Sequence, residues 1–386
     1  MRIQYSLAAL AAIAALSACS AGARQSLAPA PQPNAYWTNQ TGRASSAATN
    51  TGQLQVYGTW HCGDQYCSWP TAITNTSPGS TFDNQNRWII DRNMNGTYVP
   101  SVNLVVLAFV DPLKLMNLTN DSSDTSGIPN GMTSAVVSYF TSHNVRVMLS
   151  IGGQTYTGNW DSALSSNPTQ LGINAASAAK RLGVGIEIDY ENTSSPNLTG
   201  MQSFVSAYRS QIAYDASGAN PAARFTIDLG AGDQYLTQIS NYAGQHWLQV
   251  SNPVLDYANA MVPNKQVSAS SYESDWSQHV NGYNGVPPLA PARLTGSIYI
   301  VDSNTVIPEC NNFSSSLENS TGSYVLTVPP AGAGTTSGML GYMFWSSGAP
   351  STRHVTTFPP NTCQGGVGTG ASTYNIPLPM PALRQS

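Results

Sequence analysis

Charged residues are scarce in this chain. Lys, Arg, Asp and Glu together make up 9% of its 386 residues, and the formal net charge is −4. We therefore expect no basic surface that could bind nucleic acid. The five histidines are scattered, and none stands at metal-ligand spacing to another histidine or to a cysteine, so neither a metal site nor a cofactor is predicted.

Long apolar runs are also missing, and only a short one occurs near the start of the chain. Leu7–Leu16 cannot form a permanent membrane span, but with Arg2 before it the run is typical of an export signal. The run ends in Leu16-Ser-Ala-Cys-Ser20, which resembles the processing box of bacterial lipoproteins, with Cys19 as the lipidated residue. The alternative is an ordinary cleaved signal peptide followed by an incidental cysteine.

Three regions follow from this pattern. We expect a lipoprotein-type signal peptide at residues 1–18 and a flexible tether rich in Ala, Pro, Ser, Thr and Asn at 19–51. One domain with a C-terminal extension would fill residues 52–386. The protein would then be exported, and either lipid-anchored to the cell envelope (at the outer membrane in a diderm host) or secreted.

Cysteines are few, and four remain once Cys19 is set aside: Cys62, Cys67, Cys310 and Cys363. An even number in an exported chain is typical of two disulfides, for which three connectivities are open. We prefer Cys62–Cys67 with Cys310–Cys363, because the first pair closes a short loop.

Apolar, largely β-branched runs alternate along the remaining chain with stretches whose apolar residues have helical spacing. Eight such runs are predicted to be strands covered on both faces: 54–60, 102–110, 145–151, 184–191, 224–229, 255–262, 294–301 and 339–345. Helices are predicted around 132–140 and 170–182, the latter ending at Gly183, and from a capping box at Thr199–Gln202 through Ile212. Strands and helices in this order favour a single (β/α)8 TIM barrel.

The fourth of these strands carries an unusual set of acids. Side chains alternate along a strand, so Glu187, Asp189 and Glu191 share one face, about 7 Å apart at each step, opposite the apolar residues. Like charges that converge resist ionising together, so at least one carboxyl should hold its proton near neutral pH and could act as a general acid. The alternative is an edge strand with a solvated acidic face. Barrel chemistry occurs at the C-terminal strand ends, where Glu191 falls.

The chain resembles glycoside hydrolase family 18, the chitinases and endo-β-N-acetylglucosaminidases. Ser150-Ile-Gly-Gly153 is similar to the SxGG motif of the third strand, and Gly185–Glu191 to DGxDxDxE of the fourth. Met339–Trp345 resembles the eighth strand, and Ala108-Phe109 on the second is a weaker match. The resemblance covers roughly residues 53–350.

The resemblance implies substrate-assisted, retaining hydrolysis. Glu191 would be the general acid and then the base, and Asp189 would hold the N–H of the substrate's 2-acetamido group, with Glu187 behind it. Trp345 would stack on the sugar, and Met261 and Asn264 would bind substrate.

Three positions depart from the family pattern. Val184 and Glu187 stand where the family has aspartates, and Pro263 replaces the tyrosine that helps to hold the acetamido carbonyl. Either another donor replaces that tyrosine, for which Tyr342 and Tyr190 are the two that we consider, or its contribution is lost.

Two functions remain open at this stage. The first is a surface-anchored or secreted glycosidase that cleaves β-1,4-linked N-acetylglucosamine in chitin, chito-oligosaccharides or the N-glycan core. The second is a lectin-like barrel that binds such glycans without hydrolysis. The retained Glu191 favours the enzyme, which we expect to be monomeric and to meet the membrane only through Cys19.

Overall fold

The computed structural model describes residues 54–62, 89–90, 98–264, 266, 268–299, 324–325, 338–345 and 380. The predicted signal peptide and tether, together with Cys19, Cys67, Cys310 and Cys363, lie outside the described residues. Cys62 is described only as the last residue of a strand. The proposed lipidation and disulfides therefore stay predictions.

Eight parallel strands close into one barrel, with each strand paired to the next along the chain and the last paired to the first. The strands are β1 (Val56–Cys62), β2 (Leu104–Val110), β3 (Arg146–Gly152), β4 (Gly185–Asp189), β5 (Phe225–Gly230), β6 (Ala258–Met261), β7 (Leu294–Tyr299) and β8 (Gly341–Trp345).

The barrel confirms the predicted fold class, and each of the eight predicted runs overlaps one strand. The predicted start at residue 294 is right, and the other starts are too early by about one to three residues. Val102 and Val184, for example, are fully buried but precede the hydrogen-bonded part of their strands. An apolar run indicates which residues are buried, and burial begins in the turn before the strand. It does not indicate where the hydrogen-bonded pairing of strands begins.

Helices cover the outside of the barrel between the strands. They are α1 (Pro112–Asn117), α2 (Ser134–Thr141), α3 (Thr157–Ser166), α4 (Pro168–Leu182), α5 (Leu198–Gln211), α6 (Thr237–His246) and α7 (Ala269–Asn281). Single 3-10 turns occur at Gln154–Tyr156, Pro221–Ala223, Gly232–Gln234 and Pro291–Arg293, and a short hairpin pairs Asp124–Thr125 with Ile128–Pro129. None of the helices in the described ranges has the length and hydropathy of a membrane span.

Helix ends follow local side-chain chemistry. α4 ends at Gly183 in the left-handed conformation (φ 68°), as predicted. The predicted capping box at Thr199–Gln202 is wrong, because the helix α5 begins earlier. The side chain of Asn197 accepts a hydrogen bond of 2.9 Å from the N–H of Gly200, so Asn197 is the N-cap.

Side chains on and next to β4 alternate between an apolar layer beneath the helices and the interior of the barrel. Val184, Ile186, Ile188 and Tyr190 pack into the layer between strands and helices. Glu187 and Asp189 point the other way, into the barrel, and are only 1% and 3% exposed. The alternative of an edge strand with a solvated acidic face is therefore wrong, since a closed barrel has no edge.

The contact between α4 and α5 requires a glycine. A Cβ on Gly172 would lie 2.5 Å from the carbonyl oxygen of Phe204 and 2.7 Å from Cβ of Ala207, whereas a Cβ on Gly158 in α3 would meet nothing within 4 Å. Overpacking of this kind costs about 1–3 kcal/mol.

We predict that Gly172→Ala lowers the free energy of unfolding by about 1–3 kcal/mol, because α4 and α5 must move apart. Gly158→Ala, the matched control, should leave it unchanged or raise it by up to about 1 kcal/mol through helix propensity. Urea unfolding followed by circular dichroism would measure both. Equal effects of the two substitutions would contradict the packing described here.

Candidate active site

A cavity of about 330 Å³ opens at the C-terminal end of the barrel. The size falls in the range of small-ligand pockets, and in TIM barrels this end carries the active site. Its walls come from the ends of several strands and the loops that follow them. The lining residues are Trp60, Phe109, Gln154, Thr155, Asp189, Glu191, Asp228, Gln234, Met261, Val262, Pro263, Asn264, Ser297, Tyr299 and Trp345.

The three predicted acids of β4 lie at different depths. Asp189 and Glu191 both line the cavity, and Glu191, just beyond the strand, is partly exposed. Glu187 lies one step deeper in the barrel and is not part of the cavity wall. The structure thus brings two acids to the cavity and places the third beneath them.

Two side chains fix the carboxylate of Glu187. The indole N–H of Trp60 donates to Oε1 at 2.7 Å, and the amide of Asn259 donates to Oε2 at 2.7 Å. The amide oxygen of Asn259 in turn accepts from the hydroxyl of Thr295 at 2.6 Å, which sets the orientation of the amide. Glu187 is therefore held by donors from β1 and β6.

A fourth carboxyl group enters the site from β5. Asp228 is 1% exposed, lines the cavity, and accepts a hydrogen bond of 2.8 Å at Oδ1 from the same amide of Asn259. Sequence reasoning missed this residue. The available signal was an aspartate inside an otherwise apolar strand, Phe225-Thr-Ile-Asp-Leu229, since an acid rarely occupies such a position without a partner.

Burial raises the pKa of all four carboxyl groups. The rise is large for Asp189 and Asp228, where neighbouring acids add to the effect of burial. Burial also raises the pKa of Glu187, against the hydrogen bonds that it accepts. The pKa of Glu191 rises to about 7 through burial, opposed by the backbone N–H of Gln154. The raised pKa values have the predicted direction, but burial is the first cause for each acid, and like charge adds to it only at Asp189 and Asp228.

Such a set of acids could in principle serve a cation instead of a proton. Within the described residues, however, no group of three or more His, Cys, Asp and Glu side chains has the arrangement of a metal site.

The Ser150–Gly153 motif brings β3 close to β4 at Asp189. Gly152 has φ 117°, and a Cβ there would lie 1.9 Å from the carbonyl oxygen of Asp189. That oxygen accepts hydrogen bonds from the N–H of Gly153 and from the indole of Trp160, both at 2.9 Å. The glycines therefore permit a close approach that fixes the backbone of Asp189.

Aromatic rings form one wall of the cavity. Trp345, at the end of β8, stacks on Phe109 with ring centroids 5.7 Å apart and planes 24° apart. Trp60 lies 6.4 Å from Trp345 at a steeper angle. Trp345 is partly exposed and faces the cavity, as a sugar-stacking platform must.

The remaining predicted residues divide into two groups. Met261, Pro263 and Asn264 line the cavity where the sequence resemblance puts them. Tyr190 and Tyr342 do not, which argues against either as the replacement donor. The hydroxyl of Tyr190 donates to Asp161 on the outside of the barrel, and Tyr342 is buried among Tyr57, Trp276 and Phe344.

The position of Tyr190 follows from strand alternation, since it has the same parity as the outward-facing residues of β4. Tyr342 likewise alternates with Met343, which faces the barrel interior. Tyr299, at the end of β7, lines the cavity and was not anticipated from the sequence.

No protein-family model matches the sequence, and a comparison with curated proteins gives no match. Solved structures do match. A GH18 chitinase from Pseudoalteromonas aurantia is 14% identical, with a TM-score of 0.48, over 82% of this chain and 99% of that one. The catalytic domain of psychrophilic chitinase B from Arthrobacter TAD20 is 10% identical, with a TM-score of 0.47, over 88% and 100%.

A mutant GH18 chitinase from Cycas revoluta, in complex with (GlcNAc)4, is 12% identical, with a TM-score of 0.42, over 83% of this chain and 99% of that one. The family named for two of these structures is the one that the sequence resembles. Likenesses this distant carry no argument about activity, which rests on the cavity and its side chains.

The pKa of Glu191 makes the stability of the fold depend on pH. A carboxyl whose folded pKa is about 7 holds a proton that the unfolded chain, with an ordinary pKa of 4.5, has lost, so stability falls as pH rises between these values. We predict that Glu191→Gln matches the wild type near pH 4.5 and exceeds it by about 3 kcal/mol above pH 7.

Thermal unfolding of both proteins across pH 4.5–8 would measure this difference. A stability difference that stays constant with pH would contradict the proposed ionisation of Glu191.

Proposed function

We propose that the chain is a glycoside hydrolase of the family 18 type that cleaves β-1,4-linked N-acetylglucosamine in chitin, chito-oligosaccharides or the N-glycan core. The observation that carries the proposal is a protonatable Glu191 beside Asp189 on one cavity wall, with Trp345 facing the same cavity. A general acid, a second acid and an aromatic platform are the groups that this hydrolysis needs.

In the first step, protonated Glu191 would donate its proton to the glycosidic oxygen. The carbonyl oxygen of the substrate's 2-acetamido group would attack the anomeric carbon as the bond to the leaving sugar breaks. The product of this step is a cyclic oxazolinium ion, and Asp189 would accept a hydrogen bond from its N–H and stabilise the positive charge.

In the second step, Glu191, now a carboxylate, would take a proton from water. The resulting hydroxide would add to the anomeric carbon from the face that the leaving sugar vacated, and the acetamido group would re-form. Two displacements at one carbon retain its configuration. No acid of the protein becomes covalently attached to the sugar.

Asp189 must be ionised to stabilise the positive charge of the oxazolinium ion, although burial raises the pKa of Asp189 well above its usual range. Glu187 lies directly behind it on the same face of β4. We infer that Glu187 takes up the proton that Asp189 releases as the positive charge develops.

Glycan binding without hydrolysis is the second candidate function. The observation that favours it is Pro263, which lines the cavity where the family has a tyrosine. The retained Glu191 with its raised pKa favours the enzyme.

We predict that the chain releases fluorophore from a fluorogenic chito-oligosaccharide and that Glu191→Gln lowers kcat/KM by about 10²–10⁴, the usual contribution of a general acid. Because the acid must be protonated, kcat/KM of the wild type should fall as pH rises through about 7. Fluorescence assays across pH 4–9 would measure both effects.

Asn264→Ala, at the exposed rim of the cavity, is the control and should change kcat less than Glu191→Gln does. Binding of chito-oligosaccharide without turnover in the wild type would instead favour the lectin-like function. Absence of both binding and turnover would overturn the proposal.

We further propose that the protein acts outside the cytoplasm, anchored through Cys19 or secreted. The support is the sequence Leu7–Ser20 alone. Membrane fractionation of cells that express the wild type or Cys19→Ser would distinguish the anchored form from the secreted one.

A further inference from the structure

The proposed reaction requires a donor that the chain does not have at the expected position. Substrate assistance depends on the orientation of the 2-acetamido carbonyl oxygen, and Pro263 has no side-chain donor to hold it. Tyr190 and Tyr342 lie outside the cavity. Another side chain on the cavity wall must therefore hold this oxygen if the reaction proceeds as proposed.

Asp228 lies where a donor to the acetamido carbonyl oxygen is needed. It lies at the floor of the cavity on β5, the strand next to β4, close enough to Asp189 for their charges to interact. Its Oδ1 accepts from Asn259, while its Oδ2 is buried and receives no hydrogen bond from any donor in the described part of the chain. Asn259 thus fixes Oδ1, the carboxyl group shares a hydrogen bond with Glu187, and Oδ2 has no other donor in the described residues.

The groups that face Asp228 determine its protonation state. Glu187 and Asp189 on β4 are acids, and Asn259 on β6 is a neutral amide. Glu187 accepts hydrogen bonds from Trp60 and Asn259, and the carboxyl of Asp228 shares a further hydrogen bond with it; these bonds favour the ionised form of Glu187. Burial, and the charges of Glu187 and Asp189, raise the pKa of Asp228 well above its ordinary value. Asp228 therefore keeps its proton, and a protonated carboxyl is a hydrogen-bond donor.

An amide needs partners on two sides. The N–H and C=O of the trans amide in the acetamido group point in opposite directions, so one residue cannot serve both. Asp189 on β4 accepts from the N–H in the proposed reaction, and the donor for the carbonyl must come from another strand.

We propose that Asp228 contacts the substrate and donates a hydrogen bond to the carbonyl oxygen of its 2-acetamido group, in place of the tyrosine that Pro263 replaces. This inference rests on the proposed function. Asp228 is then a catalytic residue, since the oxygen that it holds is the one that attacks the anomeric carbon.

Other donors also line the cavity, namely the hydroxyls of Thr155, Ser297 and Tyr299 and the amides of Gln154, Gln234 and Asn264, and of these only Ser297 is buried. The hydroxyl of Ser297 is already occupied, because it donates to the carbonyl of Ala260 at 2.9 Å and accepts from the N–H of Val262 at 2.7 Å. Tyr299 lies at the end of β7, three strands away from β4, and is partly exposed. Asp228 is buried and lies on the strand next to β4.

The test compares Asp228→Leu, Asp228→Asn and Tyr299→Phe in the full chain on a fluorogenic chito-oligosaccharide. Leucine has a similar size but cannot donate, and asparagine keeps a donor that does not depend on protonation. We expect Asp228→Leu to lower kcat by about 10²–10³, as removal of a donor to a reacting oxygen does. Asp228→Asn should retain kcat within about 10-fold of the wild type, and Tyr299→Phe within a few-fold.

Other results would overturn the inference. If Asp228→Asn is as impaired as Asp228→Leu, the carboxyl acts through its ionisation and not as a donor. If Tyr299→Phe loses the activity that Asp228→Leu keeps, Tyr299 is the donor. Thermal unfolding would show which variants fold, and Asp228→Ala would replace an unfolded leucine variant.

Failure of the proposed function is distinguishable from failure of this inference, because wild-type turnover is measured in the same assay. If the wild type binds chitotriose without turnover, calorimetry on the same variants tests the contact. Asp228→Leu should then weaken binding at least about 10-fold while Asp228→Asn does not. A wild type that neither binds nor cleaves overturns both proposals.

Discussion

The site depends on burying four carboxyl groups at one end of a barrel. Removing an ionised carboxylate from water is costly, so a buried acid is tolerated only if it keeps its proton or receives strong hydrogen bonds. This structure uses both solutions. Glu187 receives hydrogen bonds from Trp60 and Asn259, while burial favours the protonated forms of Asp189 and Asp228. Glu191, less deeply buried, is left with a pKa of about 7, where it can both donate and accept a proton.

The barrel provides what this arrangement requires. A closed parallel sheet brings side chains from non-adjacent parts of the chain to one interior, so that Asn259 of β6 can bridge acids of β4 and β5. Gly152 allows β3 to approach the carbonyl of Asp189, and this approach fixes the backbone that carries the central acid. A methyl group at that glycine would separate the two strands at the point where the chemistry is proposed to occur.

Strand alternation is a local property, and it was therefore readable from the sequence. It placed Glu187 and Asp189 inside the barrel, and it also places Tyr190 outside, which excludes the role first considered for that tyrosine. Asp228 could not be assigned from the sequence, although an acid in an apolar strand was a signal. Its contact with Asn259 depends on which strands become neighbours and on their register, and both are set only when the barrel closes.

Retaining hydrolysis by two displacements is the central claim, and the stereochemistry of the first product tests it most directly. Proton NMR of chito-oligosaccharide hydrolysis, recorded before the released sugar equilibrates, distinguishes the two anomers. The mechanism with Glu191 as acid and base predicts that the β-anomer appears first, since two displacements retain configuration. An α-anomer as the first product would show a single displacement by water and would contradict the account.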